Sequence, residues 1–194
     1  MDRQRAMKLL LASNSPRRRE LLGGLDIPME VVRLKDIDET HPKDLKGGDI
    51  PLHIARLKMS AYDMALADGE VLVTADTIVW CDGEEMGKPK DRADAIRMLG
   101  KLSGRTHQVY TGVCLKSNCD EQSFVCGTDV TFAQLTAEQI EYYVDHYRPF
   151  DKAGAYGIQE WIGYVGVERL EGSYFNVMGL PVQRLYNALT KLKI

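Results

Sequence analysis

At 194 residues with 44% hydrophobic content, the chain carries enough apolar material for one globular domain, taken here as residues 1–194, with a packed core. Its net charge of −3 argues against the basic face of a nucleic-acid binder, and no run approaches the roughly 18 apolar residues of a membrane span. Four cysteines (Cys81, Cys114, Cys119, Cys126) without a Cys-x-x-Cys pair, and four scattered histidines (His41, His53, His107, His146), argue against a zinc site. With Met7 to Ala12 too short for a signal-peptide core, the expected setting is a reducing cytoplasm and the expected state of Cys114 and Cys126 is packed free thiols.

The first strand-like run, Leu9 to Ala12, ends in three small polar residues, and Pro16 then opens a helix with Leu21, Leu22 and Leu25 on its apolar side. Ser15 suits the N-cap, and Pro16 the first turn, where a missing N–H costs nothing. That turn carries Arg17, Arg18 and Arg19 where the helix dipole favours acids, so three cations face free backbone N–H groups and the Ser13 and Ser15 hydroxyls. Such a start reads as an anion site, with a solvated basic turn as the plain alternative.

Met29 to Leu34 reads as a second strand and Lys35 to Asp49 as a polar loop over the site, one of whose carboxylates (Asp36, Asp38 or Glu39) reaches in. Pro51 to Leu66 is helical along Ile54, Leu57, Ala61 and Ala65, with Lys58 at the stripe's edge, either snorkelling to water or meeting an anion. Val71 to Val79 reads as a strand buried on both faces and interrupted by Asp76, a carboxylate that is expensive there unless paired or metal-bound. Asp76 is therefore the leading catalytic candidate. Asp82-Gly83 signals a hairpin, and Gly87-Lys88-Pro89 is a tight loop presenting a second lysine.

Asp91 caps a helix through Ala95, Ile96, Leu99 and Leu102 that Gly104 ends, and Thr106–Lys116 and Gln122–Phe132 alternate as a long hairpin in which His107 is read as structural. Thr136 and Gln139 form a capping box for a helix ending near Tyr147. Lys152 to Gln159 is a small-residue segment that lets backbone approach a ligand, with Lys152 and Gln159 as its polar groups. Ile162–Val167 is short and apolar, Gly172–Gly179 reads as a loop, and Pro181–Leu192 as a closing helix.

Six stretches in this order resemble the Maf family of nucleoside triphosphate pyrophosphatases. They are Leu-Ala-Ser-Asn-Ser-Pro-Arg-Arg (11–18), Thr-Ala-Asp-Thr-Ile-Val (74–79), Gly-Lys-Pro (87–89), Gly-Arg-Thr-His-Gln-Val-Tyr-Thr-Gly-Val (104–113), Lys-Ala-Gly-Ala-Tyr-Gly-Ile-Gln (152–159) and Gly-Ser-Tyr-Phe-Asn-Val-Met-Gly-Leu-Pro (172–181). The sequence departs from the family's usual pattern at Thr74 and at Phe150-Asp151.

The resemblance implies hydrolysis of a nucleoside triphosphate between the α and β phosphates, with Asp76 as proton acceptor and Glu39 beside it in a metal and water site. Arg17, Thr77 and Gln159 match positions that set base preference, and Pro-Arg-Arg together with Tyr-Gly-Ile-Gln resembles the branch acting on dTTP and UTP. Arg18, Lys58 and Lys88 supply cations for the phosphates, with Ser13, Ser15 and Lys152 among the binding residues. Carboxylate donors suit Mg²⁺ or Mn²⁺. The implied fold is mixed α/β, an elongated twisted sheet flanked by helices, with two lobes around a nucleotide-binding cleft and a homodimer as the assembly. A non-catalytic nucleotide- or nucleic-acid-binding regulator of cell division, and a triphosphatase removing only the γ phosphate, stand as alternatives.

Overall fold

The structure is a computed structural model and describes residues 7–194. Its strands form one mixed seven-stranded sheet with helices around it, as the α/β reading expects. In chain order the elements are β1 (Lys8–Leu11), α1 (Pro16–Gly23), β2 (Met29–Val31), α2 (Asp49–Ser60), β3 (Glu70–Cys81), β4 (Glu84–Met86) and α3 (Arg92–Leu102). They continue with β5 (Thr106–Lys116), β6 (Glu121–Phe132), α4 (Ala137–Tyr147), a 3₁₀ turn at Ala153–Ala155, α5 (Trp161–Gly166), β7 (Val167–Glu171), α6 (Tyr174–Met178) and α7 (Val182–Lys191).

The strand order is β2-β1-β3-β5-β6-β7, with β4 folded back on β3. β1 runs parallel to both β2 and β3, with Leu10 opposite Leu72, while β4 and β7 pair antiparallel with β3 and β6. Parallel pairing demands crossover connections, which α1 and α2 provide. Strands buried on both faces read as continuous apolar runs, and β1 (Lys-Leu-Leu-Leu) and the first half of β3 do so.

Contacts within the chain gather into two compact units. The first holds the residues up to Asp76, Thr111–Cys126 and Gly179–Ile194; the second holds Thr77–Tyr110 and Gly127–Met178. In the first, Leu10, Ala12, Ala55, Met59, Leu72 and Cys114 pack α2 against the sheet. The approach is close: a Cβ on Gly112 of β5 would stand 2.4 Å from the Leu52 backbone nitrogen, so only glycine lets α2 seat there. The second unit has its own core, in which Phe132, Tyr143, Leu99, Leu102 and Ile162 are buried.

Helix ends follow the sequence signals. The Ser15 hydroxyl accepts from Arg18 N at 3.3 Å, Asp91 caps α3 through Asp94 N at 2.8 Å, and the Thr136/Gln139 capping box is complete. Three boundaries differ from expectation. β2 stops at Val31, short of Leu34, and α2 runs from Asp49 to Ser60 rather than from Pro51 to Leu66. In the third, the presumed loop 172–179 contains α6, and the strand β7 precedes it. Cys114 and Cys126 are free thiols, and burial pushes Cys114 up to about 11.

Candidate active site

Asp76 sits in the middle of β3, and Lys58 in the last turn of α2, where a cation also complements the helix dipole. Lys58 Nζ lies 2.8 Å from Asp76 Oδ1 and 3.2 Å from Glu39 Oε1, so both carboxylates converge on one ammonium. The side chains of Lys58 and Asp76 are only 12% and 14% exposed, whereas that of Glu39 is 53% exposed at the tip of its loop. Of the loop carboxylates Asp36, Asp38 and Glu39, the structure brings Glu39 to Lys58.

A second bond locks the strand to the helix. Thr74, fully buried two residues before Asp76, donates its hydroxyl to the Ala55 carbonyl of α2 at 2.7 Å, three residues before Lys58. The family's usual residue here is Gly or Ser; a Gly has no hydroxyl for this bond, and Thr74 uses its own to tie together the two elements that carry the ion pair.

The Arg17–Arg19 turn resolves into three environments. Arg19 is exposed, Arg17 half-buried, and Arg18 is folded inward, its Nε donating to the Gly179 carbonyl at 2.9 Å and its Nη1 to Ser13 Oγ at 3.4 Å. Ser13 Oγ also accepts from Ser15 N at 3.2 Å, so Ser13, Ser15 and Arg18 form one bonded corner at the N-terminus of α1. Burial lowers the Arg18 guanidinium from its ordinary value; the Asp76 charge opposes this, Arg17 adds to it, and Glu39 opposes it. Those two carboxylates are thus close enough to act on Arg18. No acid occupies the first turn of α1.

Among the described residues no three His, Cys, Asp or Glu side chains gather as a full metal cage. Asp76 and Glu39 already share a cation, Lys58, and two hard carboxylates are the set that Mg²⁺ or Mn²⁺ takes when substrate phosphates and water complete the shell. The donor chemistry therefore fits.

The remaining candidates belong to the second unit. Thr77 follows Asp76 on β3 and is half-buried; Lys88 is exposed in the loop after β4. Gly154 N donates to the Gly87 carbonyl at 3.0 Å, which ties the Lys88 loop to the 152–159 segment. Gly154 has φ +67°, and a Cβ there would press on the Val79 side chain at 2.8 Å, so both its conformation and its neighbour require glycine.

Lys152 is 8% exposed, with Nζ 2.8 Å from Asp151 Oδ1 and 3.2 Å from Glu160 Oε1. The departure at Phe150-Asp151 thus gives Lys152 a carboxylate neighbour. Glu160 also accepts from the Tyr143 hydroxyl, which itself accepts from Gly157 N at 3.0 Å. Burial, then Glu160, pushes the Tyr143 phenol up. Gln159 Oε1 is buried and has no hydrogen-bond partner among the described residues.

His107 has no role at the carboxylates. It is fully buried, its Nε2 2.7 Å from the Tyr156 hydroxyl, its ring packed edge-on against Phe132 and Tyr156. Burial lowers its pKa to about 4. Sequence reasoning missed Tyr143 and Glu160. Tyr143 looks like one more residue of an apolar helix face beside Ile140 and Val144, and nothing in spacing signals that its hydroxyl brackets Gly157.

A family model described as "Maf-like protein" matches residues 8–192. Relatives named "dTTP/UTP pyrophosphatase" include one from Phocaeicola vulgatus, 59% identical over 185 residues, covering 95% of this chain and 96% of that protein. Others come from Porphyromonas gingivalis, 52% identical over 97% of this chain and 96% of that one, and Flavobacterium psychrophilum, 51% identical over 92% and 91%. Among solved structures, the Staphylococcus aureus Ham1 protein superposes with a TM-score of 0.51 at 17% identity, over 95% of this chain and 98% of that one. That likeness concerns the fold alone.

Proposed function

The chain belongs to the Maf-like family, and on that premise we propose that it hydrolyses dTTP and UTP between the α and β phosphates. The products are the nucleoside monophosphate and pyrophosphate. The observation that carries the reading is the Lys58-bridged pair Asp76 and Glu39, close to Arg18, in a chain whose relatives at 51 to 59% identity share that printed activity over nearly their full length.

In the reaction a water oxygen forms a bond to the α phosphorus, the bond from that phosphorus to the bridging oxygen breaks, and pyrophosphate leaves. Asp76 takes the water's proton, with Lys58 holding its carboxylate in place and Thr74 holding β3 to α2. Arg18, oriented by Gly179 and Ser13, binds phosphate oxygens together with Lys58. Asp76 and Glu39 would hold Mg²⁺ or Mn²⁺, which when bound neutralises charge on the phosphates.

The family resemblance assigns base preference to Arg17 and Thr77 as well, and Gln159 reads the base. Its buried and unpaired Oε1 is an acceptor suited to the N3–H of uracil or thymine, and its amide NH₂ suits the adjacent carbonyl. Cytosine offers an amine where uracil offers a carbonyl. The proposed assembly is a homodimer in the cytoplasm acting on free nucleotides rather than nucleic acid; among the described residues no helix is long and apolar enough to cross a membrane.

The test is product analysis over a panel of UTP, dTTP, CTP and GTP with Mg²⁺. Monophosphate plus pyrophosphate is expected; diphosphate plus phosphate, or no turnover, refutes the reading. UTP and dTTP should exceed CTP by about ten- to hundred-fold in kcat/KM. A Gln159→Ala enzyme that keeps this ratio removes Gln159 from base reading.

A further inference from the structure

β7 ends the strand order, and among the described residues no strand pairs with its outer edge. An open edge is a template for another strand, and proteins usually block it with charge. β7, Val167-Glu168-Arg169-Leu170-Glu171, is charged, yet its charges alternate in sign in a way that blocks some pairings and favours one.

A β7-to-β7 pairing through a two-fold axis must be antiparallel and centred on a residue, because directly opposed side chains point to the same face and the face alternates along the strand. Centred on Glu168 or on Glu171, the pairing sets a glutamate against its own copy; centred on Arg169, it sets arginine against arginine. Centred on Leu170, it sets Arg169 of each copy against Glu171 of the other and leucine against leucine. The charges oppose three of the five centres, and Val167 is ruled out because helix α5 ends at Gly166 and leaves no strand before it to pair, so Leu170 is the centre that remains.

The interior of the chain leaves Glu171 wanting such a partner. Across the β6 pairing it stands opposite the exposed Asp129, a like charge, and among the described residues its ion-pair partner is the exposed Arg169 two residues away, at 2.7 Å. The flanks of the strand match as well. Tyr164 (84% exposed) and Val165 lie just before β7, and the exposed Tyr174 and Phe175 just after it. An antiparallel pairing of β7 brings the end of α5 in one copy to the side of the start of α6 in the other. A hollow of about 260 Å³ beside Leu170, lined by Ile158, Gly163, Tyr164, Val167, Leu170 and Tyr174, is available to an incoming aromatic side chain. The other sheet edge is less suited: β2 has three residues, and its Glu30 already pairs with Lys8 at 2.8 Å.

We propose that a second copy of this chain docks on β7, edge to edge, in the Leu170-centred antiparallel register, with Arg169–Glu171 pairs across the two-fold axis. The proposal rests on the homodimer reading above and names its surface.

The test measures the dimer dissociation constant of the full chain by sedimentation velocity over about 1–100 µM. Glu171→Arg turns both cross-pairs into arginine facing arginine, while relieving the clash with Asp129 inside each chain, so the fold is spared. A dimer weakened about tenfold or more is expected, since symmetry counts each cross-strand charge twice. Adding Arg169→Glu in the same chain restores opposite signs and should return the constant to within about threefold of wild type by the same scale. A wild type that stays monomeric refutes the homodimer reading and this surface with it. A wild-type dimer that Glu171→Arg leaves intact, or one lost and not rescued by the double exchange, refutes this surface alone.

Discussion

Asp76→Asn keeps the shape of the side chain and removes its charge and basicity. The amide oxygen still accepts from Lys58, which also keeps Glu39 at 3.2 Å, so the ion pair decays to a neutral acceptor plus one remaining carboxylate. Trading a charged for a neutral hydrogen bond costs about 1 kcal/mol of stability, or a fall of about 2–4 °C in Tm for a chain of this length. Loss of a general base costs about 10²–10⁴ in kcat, which is about 3–5 kcal/mol of barrier and well beyond what the stability change could produce by unfolding. Much of the triphosphate binding should remain, because Arg18, Lys58 and Glu39 stay in place and the side chain keeps its shape. Chromatographic assay of monophosphate released from dTTP, with titration of the non-turning-over complex, reads both quantities. A variant that keeps more than about a third of wild-type kcat refutes Asp76 as the proton acceptor.

Arg18→Ala should raise KM for every triphosphate by about ten- to hundred-fold, with added salt reproducing part of the effect on wild type; an effect confined to one base would move Arg18 to the base pocket. Tyr143→Phe should cost about 1–3 kcal/mol in urea unfolding, because it strands the Gly157 N–H and one Glu160 oxygen without changing the packed ring; an unchanged midpoint refutes that bracket. His107, with its pKa lowered to about 4 in the fold against an ordinary 6.5, is protonated more readily in the unfolded chain. Stability should therefore fall as pH drops from about 6.5 towards about 4, by up to about 3 kcal/mol. The part between pH 6.5 and 5, above the range of most carboxylates, should vanish in His107→Gln.

Much of this arrangement was legible in the sequence because local rules and tertiary demands agree. Ser15-Pro16, Asp91 and Thr136/Gln139 mark helix starts that the backbone honours, since each side chain satisfies an N–H that no helical carbonyl reaches. Asp76 stands out because a carboxylate in an apolar strand needs a partner, and Lys58 because a lysine beside a buried stripe either snorkels to water or meets an anion; the structure pairs the two. β7 was illegible for the opposite reason. Val-Glu-Arg-Leu-Glu has neither clean alternation nor β-branched enrichment, and it is a strand because β6 offers it an edge, with a register shift at Thr131/Phe132 that no pattern in the sequence encodes.

The Arg17–Arg19 turn shows where a correct instinct needs tertiary detail. Three arginines at the positive end of a helix look like equal claims on a phosphate, but Arg18 is fastened at Gly179 and Ser13, and a fastened guanidinium loses less freedom when it binds. Lys58 is held on the same logic. Lys58 Nζ stands 2.8 Å from Asp76 and 3.2 Å from Glu39, and an ammonium has three donors, so in the proposed mechanism a phosphate oxygen can take one without dissolving the pair. A lysine poised only for phosphate would leave Asp76 buried without a cation whenever the nucleotide is absent, at the cost that burying an unpaired carboxylate carries. The ion pair is therefore both the structural solution to a carboxylate inside β3 and, in the proposed mechanism, the contact that aims Asp76 before substrate arrives.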